Sequence, residues 1–341
     1  MNSEYIKSED DFLSLIAEKF PNVHPSLILG RGDDCAEIAC PPQMAVSTDL
    51  FVEDAHFRRS YFSPFETGYK ALAVNISDMA AAGAKPLGVS VGLVVPTPFS
   101  REEAAGIIDG MAKAASEFDI ALTGGDLSRG EKLSFCVTIW GAPVVKNREP
   151  AFLRRGPVNE GDTLFICGQI GMARVGLLSF EENGRSAISE YPASCRAHLM
   201  PEPLVGAGLL LAKFPSCRLM DVSDGLQRDL PRMLKAHVGS PDKPPTVSYG
   251  AEIELSEASL HPETIKFAKK QKEISTLFAF TGGEDYALLG SCSEKDSAKI
   301  EKAMAGQPGM PRFLRIGSVT RQPGITLNGT PIAKAGFDHF S

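Results

Sequence analysis

Acidic residues beside glycine or hydroxyl residues are the feature of this sequence that could do chemistry. Five short clusters carry them: GDD at 32–34, STD at 47–49, GGD at 124–126, DVSDG at 221–225 and GGED at 282–285. A single acidic residue of this kind is as well explained by a helix cap or a buried ion pair. Several together repel one another, and a hard divalent cation relieves that repulsion. Mg²⁺ often bridges carboxylates to substrate phosphates, so the pattern favours magnesium-assisted phosphate chemistry.

Asp78 is the most informative single residue of this group. Its surroundings predict a helix, on which it shares one face with Ala71, Val74, Asn75 and Ala82. A carboxylate in a stripe of small and apolar residues is costly unless it is paired or bound to a metal. We therefore expect Asp78 to face a cation or a partner.

The glycines before Asp126 allow a backbone to approach a phosphate closely, although turn glycines are an equally good explanation of any one pair. The sequence contains no Walker A motif and no Gly-x-Gly-x-x-Gly. An ATP enzyme with this sequence must therefore bind phosphates through a different architecture.

The elements that position these residues alternate between helix and strand in both halves of the chain, which favours mixed α/β domains. Ser63 with Glu66, and Ser100 with Glu103, have the spacing of helix-capping boxes. The predicted helices cover residues 8–20, 63–83, 100–118, 171–180, 203–214 and 225–237. The predicted strands cover residues 44–52, 88–95, 120–123, 133–145, 163–167 and 218–222. The charged stretch 146–162 reads as a linker, and 240–245 as a polar loop.

Length and composition set the remaining bounds. A chain of 341 residues is long enough for two domains, and 43% apolar with 23% charged residues is ordinary globular composition. Its net charge of −7 argues against nucleic-acid binding. The seven scattered cysteines, the absence of a secretory signal and the absence of a membrane-spanning stretch predict a soluble, cytoplasmic protein with reduced thiols.

Among the basic residues, His56 stands out because it follows the STD cluster by a few positions. Arg154, in the predicted linker, either reaches a nucleotide phosphate or is a solvated charge. We expect surface positions for His24, His198, His237 and His261.

Seven segments in register resemble the thiamine-monophosphate kinase family, which belongs to the superfamily of aminoimidazole ribonucleotide synthetase. They are GRGDDCAEI, STDLFVEDAHF, YKALAVNISDMAAAGAKP, TGGDLSRG, DVSDGLQRDL, TGGEDYALL and the terminal GFDHF. The resemblance implies a mixed α/β, two-domain fold of the aminoimidazole ribonucleotide synthetase type. It places an N-terminal ATP- and Mg-binding and dimerisation domain at 1–148 and a C-terminal α/β sandwich domain at 149–341. It further implies a homodimer that pairs N-terminal sheets, with ATP lying across the two domains.

The implied reaction transfers the γ-phosphoryl group of ATP to thiamine monophosphate, the last step in making thiamine diphosphate, with several Mg²⁺ ions. Carried over by position, the resemblance assigns roles to individual residues. The metal ligands are Asp34, Ser47, Thr48, Asp49, Asp78, Asp126, Asp221 and Asp224. Of these, Asp78, Asp126 and Asp224 are the catalytic group. The ATP contacts are Gly125, Asp126, Arg154 and Ser223. The substrate contacts are His56, Glu284 and Phe337.

Departures from the family pattern fall outside the acidic set. Relatives often have Ala-Gly-Asn where this chain has Glu53-Asp54-Ala55, and Tyr where it has Phe337. The aromatic face of Phe337 and the charge of Glu284 still suit a flat, cationic thiamine ring. The alternatives are an aminoimidazole ribonucleotide or selenophosphate synthetase of the same superfamily and, from a different class, a non-catalytic nucleotide-binding protein.

Overall fold

The computed structural model describes residues 4–146, 149–235 and 249–332. The chain divides into two compact units, residues 1–79 with 84–143 and residues 80–83 with 144–341. Residues 80–83 include the last two residues of helix Pro64–Ala81 and group with the second unit. The domain boundary at 148/149 stays a prediction. The roles assigned to the two domains stay predictions.

The first unit is a sheet with three helices. Its helices are α1 (Glu9–Lys19), α2 (Pro64–Ala81) and α3 (Arg101–Glu117). Its strands are β1 (Leu27–Leu29), β2 (Glu37–Ile38), β3 (Ala45–Val52), β4 (Ala84–Val95), β5 (Ala121–Arg129) and β6 (Ser134–Lys146). The main sheet has the order β3-β6-β4-β5, in which only β4 and β5 run parallel because α3 crosses between them.

Helix α2 is the central helix of this unit, since every residue from 67 to 77 is buried. Its start is the expected capping box, in which the Ser63 N–H donates to Glu66 (2.7 Å) and the Glu66 N–H donates to Ser63 (3.3 Å). The same box, between Ser100 and Glu103, begins α3. Both helix starts are therefore confirmed, and both depend only on residues three apart.

Two predictions about local structure are wrong. Strand β5 continues to Arg129, so that Gly124, Gly125 and Asp126 lie within the strand and pair with β4. The expected linker contains strand β7 (Glu149–Ala151), which pairs with the end of β6. The two errors have different causes. Strand β5 is extended by its pairing with the distant strand β4, which overrides a local sequence rich in glycine. Strand β7 pairs with the end of β6, only three to seven residues earlier, within a stretch whose charge and Pro suggest a linker.

The second unit is built on a seven-stranded sheet. Its strands are β8 (Thr163–Cys167), β9 (Arg218–Asp221), β10 (Gly250–Ile253), β11 (Leu288–Cys292), β12 (Phe313–Thr320), β13 (Ile325–Leu327) and β14 (Thr330–Pro331). Its helices are α4 (Met172–Asn183), α5 (Pro192–Leu199), α6 (Val205–Leu211), α7 (Leu226–Lys235), α8 (Pro262–Lys270), α9 (Ser275–Thr281) and α10 (Glu294–Ala305). The strand order is β14-β13-β10-β12-β8-β11-β9.

The order of these strands brings three loops together. Both β8 and β9 run antiparallel to β11, which lies between them, and Leu288 at the start of β11 pairs with both Cys167 and Asp221. The chain leaving β8, the chain leaving β9 and the chain entering β11 therefore meet at one edge of the sheet. The predicted loop 240–245 lies outside the described residues.

The contact between α2 and α3 is close enough to give a stability test. A Cβ atom at Gly110 of α3 would lie 1.9 Å from the carbonyl oxygen of Phe65 in α2. Alanine normally stabilises a helix interior by about 1 kcal/mol relative to glycine. We expect Gly110→Ala to lower the free energy of unfolding instead, by about 1–3 kcal/mol, because the helices must separate. Urea denaturation measures it.

The control for this substitution is Ser116→Ala on the exposed face of the same helix. It should change the free energy of unfolding by a few tenths of a kcal/mol at most. A Gly110→Ala protein as stable as the wild type would show that the two helices are not in contact through glycine.

Candidate active site

Two carboxylates meet beneath the sheet of the first unit. Residues of β3 alternate between its faces, so Ser47 and Asp49 share the face of buried Phe51. The Ser47 hydroxyl donates to Asp78 of α2 at 2.5 Å. Burial, and then the neighbouring Asp78 carboxyl with its hydrogen bond, raise the pKa of Asp49 to about 6. The structure thus brings Asp78 together with Ser47 and Asp49, two of the other predicted ligands.

Thr48 is the exception within the STD cluster. Strand alternation puts its side chain on the opposite face, where Val46 and Leu50 are exposed and its hydroxyl lies 2.9 Å from that of Thr138. The structure therefore brings Ser47 and Asp49 to Asp78 but not the Thr48 hydroxyl.

Asp126 also lies apart from the Asp49–Asp78 pair. It pairs in register with Gly92, which pairs with Cys136, so its side chain shares the sheet face of that exposed cysteine. Asp126 and the exposed loop residue Asp34 both line a cavity of about 1040 Å³. The predicted metal ligands of this unit thus form two groups.

Gly125 is the one position of the GGD cluster where glycine is required. Its φ is +157°, and a Cβ there would lie 1.9 Å from the carbonyl oxygen of Val91. Neighbouring Gly124 has no atom within 4 Å of the corresponding position. Gly125 lets β5 pass close to β4 and so sets the position of Asp126.

His56 lies at the end of β3. Its Nδ1 accepts a hydrogen bond from the Val52 N–H at 3.0 Å, and its ring stacks on Phe51 with centroids 6.0 Å apart. Because Nδ1 is an acceptor, the neutral ring carries its proton on Nε2.

In the second unit, the DVSDG and GGED clusters form a single joint. The Glu284 N–H donates to the Ser223 carbonyl at 2.7 Å, and the Tyr286 N–H donates to the Val222 carbonyl at 3.0 Å. A Cβ at Gly225, whose φ is +91°, would lie 2.6 Å from the carbonyl oxygen of Gly282. The structure therefore brings Asp221, Ser223, Asp224 and Glu284 to one edge of the sheet.

Asp285 holds this joint in place and was missed in the sequence. Its carboxylate accepts from the N–H groups of Gly171 (2.6 Å) and Ala173 (2.9 Å), where α4 begins without a capping side chain of its own. Burial raises the pKa of Asp285 to about 7, against these donors, which lower it. Asp285 is therefore a helix cap supplied from a distant part of the chain.

His198 is also misplaced by the sequence, which predicts a surface position. The residue is 1% exposed, and its Nδ1 lies 3.1 Å from Oε2 of Glu284, at ion-pair distance but without hydrogen-bond alignment. Its position on α5 depends on how that helix packs, and no local pattern reveals it.

The remaining predicted residues are placed as follows. Arg154 is exposed beside β9, where its carbonyl accepts from the Leu219 N–H at 2.9 Å. Asp224 forms an ion pair with Arg232 at 2.7 Å. Phe337 and His237 lie outside the described residues.

A Gly-x-Ser-x-Gly sequence at 88–92 lies inside β4, so it is not the strand-to-helix turn of a hydrolase nucleophile.

Known proteins resemble this chain over most of its length. Residues 32–142 match the family described as AIR synthase related protein, N-terminal domain. The thiamine-monophosphate kinase of Bacillus subtilis (strain 168) is 34% identical over 83% of this chain and 83% of that protein. That of Escherichia coli (strain K12) is 31% identical over 96% of this chain and 98% of that protein. The chain belongs to the thiamine-monophosphate kinase family.

The family's fold is found as well. The crystal structure of thiamine-monophosphate kinase from Stenotrophomonas maltophilia K279a matches with a TM-score of 0.78 at 27% identity, over 95% of this chain and 96% of that chain. The predicted mixed α/β fold of the aminoimidazole ribonucleotide synthetase type is thereby confirmed. The individual site residues stay predictions.

Two further findings bear on a kinase of this family. Among the described residues, no group of three or more His, Cys, Asp or Glu side chains is arranged to hold a metal ion. Mg²⁺ is commonly bound through one or two carboxylates together with substrate phosphates, and the Asp49–Asp78 pair has that form.

No helix in the described part of the chain is long and apolar enough to cross a membrane.

The raised pKa of Asp49 predicts a pH effect in metal-free protein. The pKa is about 6 in the folded state and 3.8 for the unperturbed group, so the folded state binds more protons between these values. The free energy of unfolding should fall as pH rises from about 4 to about 6, and stay lower above it. Asp49→Asn removes this loss. We expect it to be about 1 kcal/mol more stable than the wild type at pH 7.5 in chelator, after allowance for solvent screening.

The measurement is urea denaturation in EDTA across this pH range. Exposed Glu131→Gln is the control and should leave the wild-type pH profile unchanged. An Asp49→Asn protein less stable than the wild type at pH 7.5 would contradict the prediction, because the negative charge would then be stabilising.

Proposed function

We propose that this chain transfers the γ-phosphoryl group of ATP to thiamine monophosphate and releases thiamine diphosphate and ADP. Support comes from the relatives, which are named for this activity and match most of the chain. The structural observation that carries the proposal is the Asp49–Asp78 pair. Two carboxylates held in contact suit a divalent cation that in turn binds phosphates.

The reaction requires positioning more than covalent chemistry. A terminal phosphate oxygen of thiamine monophosphate forms the new P–O bond to the γ-phosphorus. The bond between the γ-phosphorus and the oxygen of the β-phosphate breaks, and ADP leaves with that electron pair. The attacking phosphate is already ionised at pH 7, so a strong general base is not needed. Transfer is direct, without a phosphorylated protein.

Magnesium, when bound, neutralises the phosphates of both substrates and the charge that develops during transfer. Asp49, Asp78 and Ser47 would hold one ion on one face of the first sheet, and Asp34 and Asp126 would hold another on the opposite face. Asp221 and Asp224 are the predicted ligands of the second unit. The Thr48 hydroxyl, which faces Thr138, is the least supported member of the predicted set.

The remaining residues bind the two substrates. Gly125, Arg154 and Ser223 contact ATP. His56 donates from Nε2 to thiamine monophosphate, Glu284 complements its cationic ring and Phe337 stacks on that ring. The seven cysteines are all free thiols, which supports the proposed cytoplasmic setting.

The acceptor is tested by ADP release from ATP and Mg²⁺, with thiamine monophosphate, free thiamine, aminoimidazole precursors and selenide compared in parallel. We expect turnover with thiamine monophosphate alone. Asp126→Asn should lower kcat by about 100-fold or more, since it removes a carboxylate that would hold the Mg²⁺ needed to neutralise the phosphates. The control Glu131→Gln, an exposed acidic residue just beyond the same strand, should retain wild-type kcat.

Turnover with another acceptor alone would reassign His56, Glu284 and Phe337 and favour the related synthetases. Folded protein that binds ATP and turns over none of the acceptors would favour the non-catalytic nucleotide-binding reading.

The proposed homodimer has a candidate surface in the first unit. Val46 and Leu50 of β3 are 59% and 62% exposed, on the sheet face that also carries exposed Cys136. An exposed apolar sheet face of this kind favours pairing with a second copy. We expect Leu50→Lys to convert the dimer to a monomer in sedimentation velocity, while the matched control Ile274→Lys, 70% exposed in the second unit, leaves it dimeric. A dimeric Leu50→Lys protein would place the interface elsewhere.

A further inference from the structure

Arg232 of α7 contacts two carboxylates at once. Its Nη1 lies 2.7 Å from Oδ2 of Asp224 and 2.7 Å from Oδ1 of Asp229. Asp229, on the same helix, is completely buried, whereas the Arg232 side chain is 42% exposed. The guanidinium therefore joins a buried carboxylate to one of the predicted active-site carboxylates.

The second oxygen of Asp229 completes the connection. Its Oδ2 accepts the backbone N–H of Asp224 at 3.0 Å. Asp224 is thus held by its backbone through Asp229 and by its carboxylate through Arg232. These two contacts, one from Asp229 and one from Arg232, fix the direction in which Asp224 points.

The strengths of the two ion pairs differ. A buried carboxylate without a partner is strongly destabilising, so Asp229 anchors Arg232. The pair with Asp224 lies at the surface, where an ion pair contributes little to stability. Its effect is on orientation and charge: Oδ2 of Asp224 is engaged by Arg232, and within the described part of the chain Oδ1 is engaged by no side chain.

We propose that Arg232, anchored on Asp229, is a positioning residue for Asp224 that turns one carboxylate oxygen toward the ligand and weakens its attraction for divalent cations. The proposal rests on the assignment of Asp224 to the phosphoryl-transfer site. It predicts two opposite effects of removing the guanidinium. The carboxylate attracts a cation more strongly, and the reaction becomes slower because the carboxylate is no longer fixed.

The test measures Mn²⁺ binding to the full-length protein without nucleotide, from the EPR signal of free Mn²⁺, and kcat separately. Arg232→Met should bind Mn²⁺ about three- to fivefold more tightly, as expected for loss of one screened positive charge. Its kcat should fall about tenfold or more, with KM for thiamine monophosphate unchanged. Arg232→Lys should restore the Mn²⁺ affinity but not kcat, because an ammonium cannot hold both carboxylates as the planar guanidinium does.

Asp224→Asn identifies the metal site concerned. In this background Arg232→Met should no longer change Mn²⁺ affinity, which makes the four proteins a double-mutant cycle. Lys235→Met, the same loss of charge at an exposed position of α7, should leave Mn²⁺ binding and kcat unchanged. If Arg232→Met fails to fold, Arg232→Met with Asp229→Asn removes the unpaired buried charge and takes its place.

Unchanged or weaker Mn²⁺ binding in the folded variant would overturn the proposal, and so would tighter binding that persists with Asp224→Asn. The failure of the proposed function looks different. Wild-type protein that transfers no phosphoryl group but still shows the Mn²⁺ coupling would keep Arg232 as the positioning residue and reject the kinase assignment.

Discussion

The repulsion between Asp49 and Asp78 is the constraint around which the first unit is organised. The two carboxyls share a hydrogen bond and a half-buried site, and every influence on the pKa of Asp49 raises it. A fold gains no stability from such a contact at neutral pH. It persists because β3 and α2 are fixed by other interactions. The aromatic cluster of Phe51, Phe57 and Phe135 anchors β3, and close glycine contacts seat α2 against α3. Packing energy thus maintains an arrangement that a cation is needed to relieve.

In the second unit the acidic residues are held in a different way. Backbone hydrogen bonds position them, and the positively charged side chain of Arg232 balances the charge of Asp224. The DVSDG and GGED segments are joined through main-chain hydrogen bonds, and Asp285 ties the joint to the start of α4. Asp224 is neutralised by Arg232, whereas the burial and neighbouring charge that act on Asp49 both oppose its ionisation. The first arrangement favours strong cation binding, and the second favours a fixed direction.

The sequence predicts those features that depend on neighbours along the chain. Ser63 with Glu66 and Ser100 with Glu103 locate two helix starts, because a capping box needs only residues three apart. The direction of the Thr48 side chain could also have been predicted from the sequence, because side chains alternate along a strand and those of Ser47 and Asp49 lie on the other face. Features that depend on contacts between distant parts of the chain could not be predicted from the sequence. The burial of His198, the extension of β5 along β4 and the capping of α4 by Asp285 each depend on residues far along the chain.

The acidic composition of the chain follows from the same argument. A protein that binds two phosphorylated substrates with basic residues alone needs a positive site, whereas this chain has a net charge of −7 and carboxylates at the edges of both sheets. Carboxylates attract the metal ions that phosphates also bind, so negative charge on the protein becomes a means of binding negative ligands. This works only if the carboxylates cannot turn away to find cations elsewhere. The rigid placement of Asp49 by a strand, of Asp78 by a buried helix and of Asp224 by Arg232 meets that requirement, and it explains why so much of each unit is devoted to holding a few acidic side chains still.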